Sequence, residues 1–503
     1  MRRNTMNALL VYPEFLTTFW SWKHLLKFVA KKSAFPPLGL LTVAAMLPKK
    51  WNKKLIDLNV TELTDEDIEW ADFVFVGAMK TQSASAKEVI SRCATLGKPV
   101  ILGGPILQTG YEEFEQVSHF LIGEAEGIFS DFLADLEKGS AKKVYEAKKF
   151  PNICTSPVPL WELIDPKDYA SGLIQWSRGC PYECEFCDID SLNGRIPRVK
   201  SVSQFLAELE AMHQAGFRGA MLIADDNFIG NMAETRIMLS KLVKWQRERG
   251  YPYNFTIESP VTIADKSELM EAMVAANIGK IFLGIETPNQ ASLAECKKRQ
   301  NLNRDLVADV KKIQQYGLIP MSGFIVGFDN DPPATFETDM IDFIQRSGVV
   351  IAMVGVLQAP LGTKLYARLQ KEGRLLKQAS GNNTDCCPNF VPVMPVETLV
   401  TGYKEIIAEI YSPKECYKRI CNFLGEYDTS KRVKTKISKE NRMAFYRSIW
   451  YIGILGSWKT KWYYWRTIFT VLFKHRSAFA EAVTMQIYVA GHFQKIAESI
   501  EES

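Results

Sequence analysis

Eleven short apolar runs, each followed by a stretch with helical patterning or a turn, limit what this chain can fold into. Five lie in the first 140 residues, at 8–12, 54–58, 73–77, 99–104 and 120–123. Runs without polar alternation, separated by helices, predict buried strands of an α/β doubly wound parallel sheet. Ligands of such sheets sit beyond the strand C-termini, here at Tyr12-Pro13, Asn59, Gly77, Gly103-Gly104 and Gly123-Glu124. The first turn has no GxGxxG, so a dinucleotide is not the expected ligand. A proline-rich link at 151–159 precedes six further runs, at 172–176, 220–224, 253–257, 280–284, 323–327 and 352–357. These predict a partial (β/α)6 barrel with polar strand ends around its mouth.

The loop after the first barrel strand reads SRGCPYECEFC over residues 177–187. Its CxxxCxxC spacing supplies three thiolates, Cys180, Cys184 and Cys187. An iron–sulfur cluster built only to carry electrons is normally closed by four cysteines; three leave one iron open to a substrate or cofactor. Zinc would need a fourth Cys or His close by. The nearest downstream histidine is His213, and no second CxxC exists. The other seven cysteines, Cys93, Cys154, Cys296, Cys386, Cys387, Cys416 and Cys421, read as small packing residues.

A chain of 503 residues exceeds one ordinary core. The expected division is a doubly wound domain at 1–150, a barrel at 165–375 and a helical C-terminal domain at 376–503. Ten scattered cysteines without a signal-peptide pattern fit a reducing cytoplasm. Residues 401–503 carry 17 Lys+Arg against 10 Asp+Glu, a net +7 that leaves the first 400 at −3. The same segment holds Trp450, Tyr451, Trp458, Trp462, Tyr463, Tyr464 and Trp465. Such a mixture suits peripheral contact with a membrane surface or a large flat substrate, or else aromatics packed onto the rest of the protein. Its charge-free stretches, such as 448–458, are well short of the roughly 18–20 residues of a spanning helix. No DNA-reading module is recognisable, so no nucleic-acid partner is expected.

With these features in place, the chain resembles the cobalamin-dependent radical SAM (S-adenosylmethionine) proteins, and within them the hopanoid C-2 methylase branch. The segments that carry the likeness are TFWSW at 18–22, FPPLGLLTVAAMLP at 35–48, ADDNFIG at 224–230, GIETP at 284–288, GFIVGFD at 323–329 and LGTKLY at 361–366, besides the cysteine loop. The resemblance implies a [4Fe-4S] cluster on Cys180, Cys184 and Cys187, with Phe186 beside the adenine of SAM. It places Asp225 and Asp226 at the SAM amino group, Glu258 and Glu286 at its ribose or methionine portion, and Gly323 and Gly327 against adenine. Each acid reads equally as a structural partner or helix cap. For cobalamin it implies Asn59, Thr81, Gly103, Gly104, Gly123 and Glu124. Many such domains carry DxHxxG, whose histidine ligates cobalt; here the stretch is Asp57-Leu58-Asn59-Val60-Thr61, and Asn59 is a poor cobalt ligand. His24 and His119 read as ordinary polar or partly buried residues.

The implied chemistry is reductive cleavage of SAM to a 5′-deoxyadenosyl radical, hydrogen abstraction from an unactivated carbon, and methyl transfer from methylcobalamin. The implied substrate is a hydrophobic molecule such as a hopanoid-like lipid or a tetrapyrrole, and the implied partner is a low-potential donor such as flavodoxin or ferredoxin. Radical cyclisation or rearrangement without methyl transfer is the alternative within the class. A cobalamin or iron–sulfur sensor without turnover is the alternative outside it. No residue is assigned as hydrogen donor or acceptor to substrate.

Overall fold

The computed structural model describes residues 5–502. Strands β1 (Asn7–Tyr12), β2 (Asn52–Asp57), β3 (Phe73–Gly77), β4 (Val100–Gly103), β5 (His119–Ile122) and β6 (Val144–Glu146) form one parallel sheet in the order β2-β1-β3-β4-β5-β6. Five strands are legible in the sequence; the sixth is a three-residue edge strand flanked by Lys142, Lys143, Lys148 and Lys149. Short length and lysines protect a sheet edge from stray pairing, and they also erase its apolar signature. Successive strand residues point to opposite faces, so each face builds its own core. Leu9, Val11, Val74 and Val76 pack under helix Ser83–Thr95, while Ala8, Leu10 and Phe75 pack under Leu38–Met46 and Phe129–Lys138. The chain leaves β1 in opposite directions to β2 and β3, which puts the switch point between β1 and β3.

The second sheet consists of β7 (Gly172–Ile174), β10 (Gly219–Ile223), β11 (Tyr253–Ser259), β12 (Ile278–Glu286), β13 (Ile319–Val326) and β14 (Ile351–Val356). They are parallel in the order β14-β13-β12-β11-β10-β7, an open barrel of six strands. Between β7 and β10 lies the antiparallel pair β8 (Ser177–Arg178) and β9 (Arg198–Val199). Along β11 and β12, buried residues alternate with half-exposed ones. Phe255, Ile257, Ile281 and Leu283 are buried in the core they share with Leu239, Met270 and Met273 of the surrounding helices. Asn254, Thr256 and Glu258 of β11, and Lys280, Phe282 and Gly284 of β12, take the opposite face and stay half-exposed. In a closed eight-stranded barrel that inner face is packed solid. Here it borders open space.

The C-terminal region differs from its sequence reading at its start. Residues 372–395 form no helix, and three prolines, Pro388, Pro392 and Pro395, explain why. Helices Val396–Tyr411 and Pro413–Glu426 then pack on the barrel, followed by Lys439–Ser448, a π-helical turn Ile449–Ile454, Trp458–Lys474 and Phe479–Tyr488. Buried Arg419 ties this layer to the barrel by donating to the carbonyls of Ile410 (2.8 Å) and Val350 (3.2 Å). The segment 18–29 joins the same aromatic core: Phe19 stacks on Phe493 at 5.7 Å, and Trp22 lies 5.1 Å from Tyr488. Each such contact contributes about 0.5–1.5 kcal/mol beyond its buried area. Trp20, on this segment, reaches Phe282 on the inner face of β12 at 5.1 Å. Of the seven remaining cysteines, Cys93, Cys296 and Cys416 are buried, but Cys154 and Cys387 are exposed and so are not packing residues.

Candidate active site at the barrel mouth

The cysteine loop leaves β7 through Gln175 and Trp176 and is pinned at its root by two acids. Asp225 accepts from the backbone N–H groups of Trp176 (2.7 Å) and Ser177 (2.9 Å) and from the Ser177 hydroxyl (2.8 Å). Asp226 accepts from the Gly179 N–H (2.7 Å) and from Asn193 Nδ2 (2.9 Å). Burial pushes the Asp225 carboxyl up to about 7, the donors pull it back, and the neighbouring Asp226 charge adds to the rise. Gly179 takes φ +99°, and a Cβ there would stand 2.8 Å from the Ile196 carbonyl, so the tight return toward Gly194 demands glycine. The Cys180 N–H then donates to the Gly194 carbonyl at 3.1 Å.

Amides and a cation surround the thiols. Asn227 Nδ2 points at Cys180 Sγ (3.7 Å) and Gln300 Nε2 at Cys184 Sγ (3.6 Å). The other atoms of those amides, Asn227 Oδ1 and Gln300 Oε1, are buried without a hydrogen-bond partner among the described residues. Buried Lys298 pairs with Glu286 at 2.6 Å and stands over the Phe186 ring at 6.0 Å. Burial disfavours its charge, yet Glu286, Cys184 and Cys187 outweigh that and raise its pKa. Burial, with lesser help from Cys184 and, at Cys187, from Asp188, raises the Cys180 and Cys187 thiols, an environment that favours neutral sulfur until a metal takes the thiolate. Three soft donors, amide hydrogens aimed at sulfur and an adjacent cation fit an iron–sulfur cluster held by three cysteines.

The remaining barrel-mouth residues separate into two kinds. Glu258 lies on the inner face of β11, and its carboxyl group has no hydrogen-bond partner among the described residues; burial, then the charges of Asp226 and Asp225, push it up to about 8. Glu286 is occupied by Lys298 and holds φ +68°, a left-handed backbone that costs a non-glycine residue about 1–3 kcal/mol. Gly284 and Gly323 are paired across β12 and β13. A Cβ on Gly284 would collide with both members of the Glu286–Lys298 pair at 2.7 Å, and one on Gly323 would press on Phe282 at 3.2 Å. Gly327 turns at φ +100°, its N–H bound to Asp331 at 2.8 Å. Phe186 packs half-buried beside Phe328 at 6.2 Å.

At the carboxyl edge of the first sheet, the named residues have other tasks. Asn59 accepts from the Phe15 N–H (3.0 Å) and donates to Asp57 (2.7 Å) and the Pro13 carbonyl (3.2 Å), which commits its side chain to closing the loop. His119 sits at the opposite, amino end of β5, and His24 stands 5.6 Å from the His492 ring. Gly104, at φ +99°, passes so close to β3 that a Cβ would lie 2.7 Å from the Ala78 carbonyl. Gly103 ends β4, and Gly123, at φ +94°, abuts Ala147. Thr81 lies in the turn Lys80–Gln82, next to Gly381.

Glu124, at the same edge, has its carboxylate buried in a clamp. It pairs with Arg178 of β8 (2.6 Å) and Arg198 of β9 (2.5 Å), and Glu126 pairs with Arg178 at 2.9 Å. Burial would raise Glu126, but the Arg178 guanidinium holds its carboxyl below the usual value. Gln108 reaches Ser191 at 3.3 Å from the same sheet edge. The carboxyl edge of the doubly wound sheet therefore faces the cysteine loop. The acids Asp225, Asp226, Glu124 and Glu286 are all held by donors within the protein, and Glu258 alone of those named is not. Sequence reasoning missed Arg178, Arg198, Glu126, Asn227, Lys298 and Gln300. Arg178 and Asn227 lie inside the quoted motifs, whereas no spacing rule marks Lys298 or Gln300.

Three thiols on the loop after the first strand of an open parallel barrel define a radical SAM enzyme, and the Radical SAM superfamily model matches residues 174–343. Residues 363–503 match the Domain of unknown function (DUF4070). An uncharacterized methyltransferase of Synechocystis sp. is 36% identical over 95% of this chain and 90% of its own. The hopanoid C-2 methylase of Rhodopseudomonas palustris is 32% identical over 91% and 88%. The solved structure of the cobalamin-dependent SAM radical enzyme OxsB covers 99% of this chain and 80% of its own with a TM-score of 0.63 at 14% identity, a likeness of fold. The chain belongs to the radical SAM methyltransferase family that includes the hopanoid C-2 methylase.

Proposed function

We propose that this chain is a radical C-methylase that adds a methyl group to an unactivated carbon of a polycyclic, hydrophobic substrate of the hopanoid kind, with methylcobalamin as methyl donor. The observation that carries this reading is the opposition of two ligand edges: the carboxyl edge of the doubly wound sheet faces the cysteine loop and is clamped to it through Glu124, Glu126, Arg178 and Arg198. When bound, the cluster, SAM and methylcobalamin supply one-electron cleavage, hydrogen-atom abstraction and the methyl group.

The chain's own residues hold and shape that chemistry. Cys180, Cys184 and Cys187 hold the cluster, with Lys298 offsetting its negative charge. Asp225 and Asp226 keep the loop on the strand end. Glu258 takes the cationic, methionine-bearing part of SAM, a partner that offsets the cost of its buried charge. Gly284 and Gly323 leave a wall without side chains for the adenosine, beside Phe186. On the first sheet, Thr81, Gly103, Gly104 and Gly123 line the cobalamin crevice through backbone and small side chains. Asn59, committed to its loop, would supply no imidazole to the cobalamin. Deeper in the barrel, Phe282 and Trp20 offer an apolar wall to a substrate that has no acidic carbon. The electron comes from a low-potential flavodoxin or ferredoxin.

Anaerobic reconstitution with SAM, methylcobalamin, reductant and a lipid extract tests the proposal. Formation of 5′-deoxyadenosine and S-adenosylhomocysteine together with a substrate gain of one CH2 is expected. Deoxyadenosine with loss of two hydrogens and no homocysteine would replace methylation with cyclisation.

A further inference from the structure

Helix Trp458–Lys474 is amphipathic in an unusual sense. Its inner face, Tyr464, Thr467, Ile468 and Val471, is buried against the protein, with Tyr464 bound to Ser448 at 2.8 Å. Its outer face should be polar, but it carries Trp458 (74% exposed), Trp462 (62%), Phe469 and Phe473 (77%) at helical spacing. Trp450 and Leu455 of the preceding turn extend the exposed apolar surface. Across residues 439–476 the sequence has eight Lys/Arg and one acid, Glu440. Two copies meeting through this face would oppose like charges, whereas anionic lipid headgroups would supply the missing sign. Trp and Phe at the headgroup boundary with flanking Lys and Arg mark a helix that lies in a bilayer surface. No helix among the described residues is long and apolar enough to cross one.

The patch also borders a way inward. Arg447 donates to the Phe28 carbonyl at 3.1 Å, Tyr451 packs on Phe28 at 5.5 Å, and Lys27 stands over the Tyr451 ring at 4.7 Å. The segment 18–29 thus touches the exposed face at one end and, through Trp20, the inner barrel wall at the other. Lys27 adds to the basic rim, whereas Lys23, Lys31 and Lys32 pair with Glu14, Glu440 and Asp168.

We infer that residues 439–476 dock on an anionic bilayer surface, with the stripe Trp458, Trp462, Phe469 and Phe473 in the headgroup boundary, and that segment 18–29 forms the passage from lipid to barrel. The inference rests on the reading of the substrate as a membrane lipid, but its test does not depend on turnover. The full, cluster-loaded chain is sedimented with vesicles of phosphatidylglycerol and phosphatidylcholine, and with phosphatidylcholine alone. Binding to the anionic vesicles is expected, weaker by about tenfold or more on neutral vesicles or in high salt. The triple variant Trp458→Ser, Trp462→Ser, Phe473→Ser and the charge variant Lys459→Glu, Lys474→Glu should each lose binding while keeping the parent's melting temperature. Equal binding by parent and variants, or none by the parent, would overturn the inference. So would a parent dimer that ignores vesicles and that the aromatic variant converts to monomer. Methylation of detergent-dispersed substrate is scored separately: methylation without vesicle binding defeats only the docking, and vesicle binding without methylation defeats only the proposed reaction.

Discussion

Two six-stranded parallel sheets present their carboxyl edges to one another, yet they prepare a ligand site in opposite ways. The barrel edge carries side chains with strong chemistry: three thiols, a buried Lys298–Glu286 pair and an unpartnered Glu258. The edge of the doubly wound sheet carries shape. Its glycines approach backbone closely, its Asn59 closes a loop, and its acids Glu124 and Glu126 are turned to the barrel. On the proposed reading, one edge binds by donor atoms and the other by contour, with the clamp between them setting their separation.

That contrast is broken most directly at the thiols. Cys184→Ala should abolish iron incorporation and SAM cleavage and leave cobalamin binding intact; retained iron, or lost cobalamin, would deny that the edges are independent sites. Next in size, Glu124→Gln leaves two buried guanidinium groups short of a partner and should cost about 3–5 kcal/mol in denaturant unfolding. It should also release deoxyadenosine without matching methylation, because the clamp no longer fixes the distance. Asp225→Asn replaces an acceptor of three hydrogen bonds with a group that offers hydrogens of its own. A loss of about 1–3 kcal/mol is expected, read as a lower melting temperature and lower iron occupancy.

Glu258 gives a pH signature. Its folded pKa lies above that of the unfolded chain, so ionising it destabilises the cofactor-free fold as pH rises from about 4.5 to about 8. A bound cation offsets that cost, so SAM affinity should climb with pH up to about 8 and then level. Glu258→Gln should flatten the profile; an unchanged slope would assign it elsewhere. The smallest effect belongs to Asn59→Ala, about 1 kcal/mol of stability. Spectra of bound cob(II)alamin should show no protein nitrogen before or after the change.

The two edges were also unequally legible in sequence. Buried strands announce themselves as apolar runs, and the thiols announce themselves by spacing, because one short loop must supply all three. The clamp was silent, since Arg178 and Arg198 lie 54 and 74 residues from Glu124 and only the meeting of two domains joins them. Asp225, Asp226, Glu258 and Glu286 all end barrel strands and look alike in sequence. What separates them is the supply of donors: backbone N–H groups at Asp225 and Asp226, an amine at Glu286, nothing at Glu258. Aromatic content left surface contact and inward packing both open for the C-terminal region, and only the fold divides buried Tyr464 from exposed Trp458 and Trp462.

The central claim is that both edges serve one chamber, and electron paramagnetic resonance of the chain loaded with reduced cluster and cob(II)alamin tests it most directly. Magnetic interaction between the two centres, seen as broadened or split signals and relaxed by Glu124→Gln, is the predicted result. Two unperturbed spectra that simply add, or a chain that takes up cluster but no cobalamin, would contradict it.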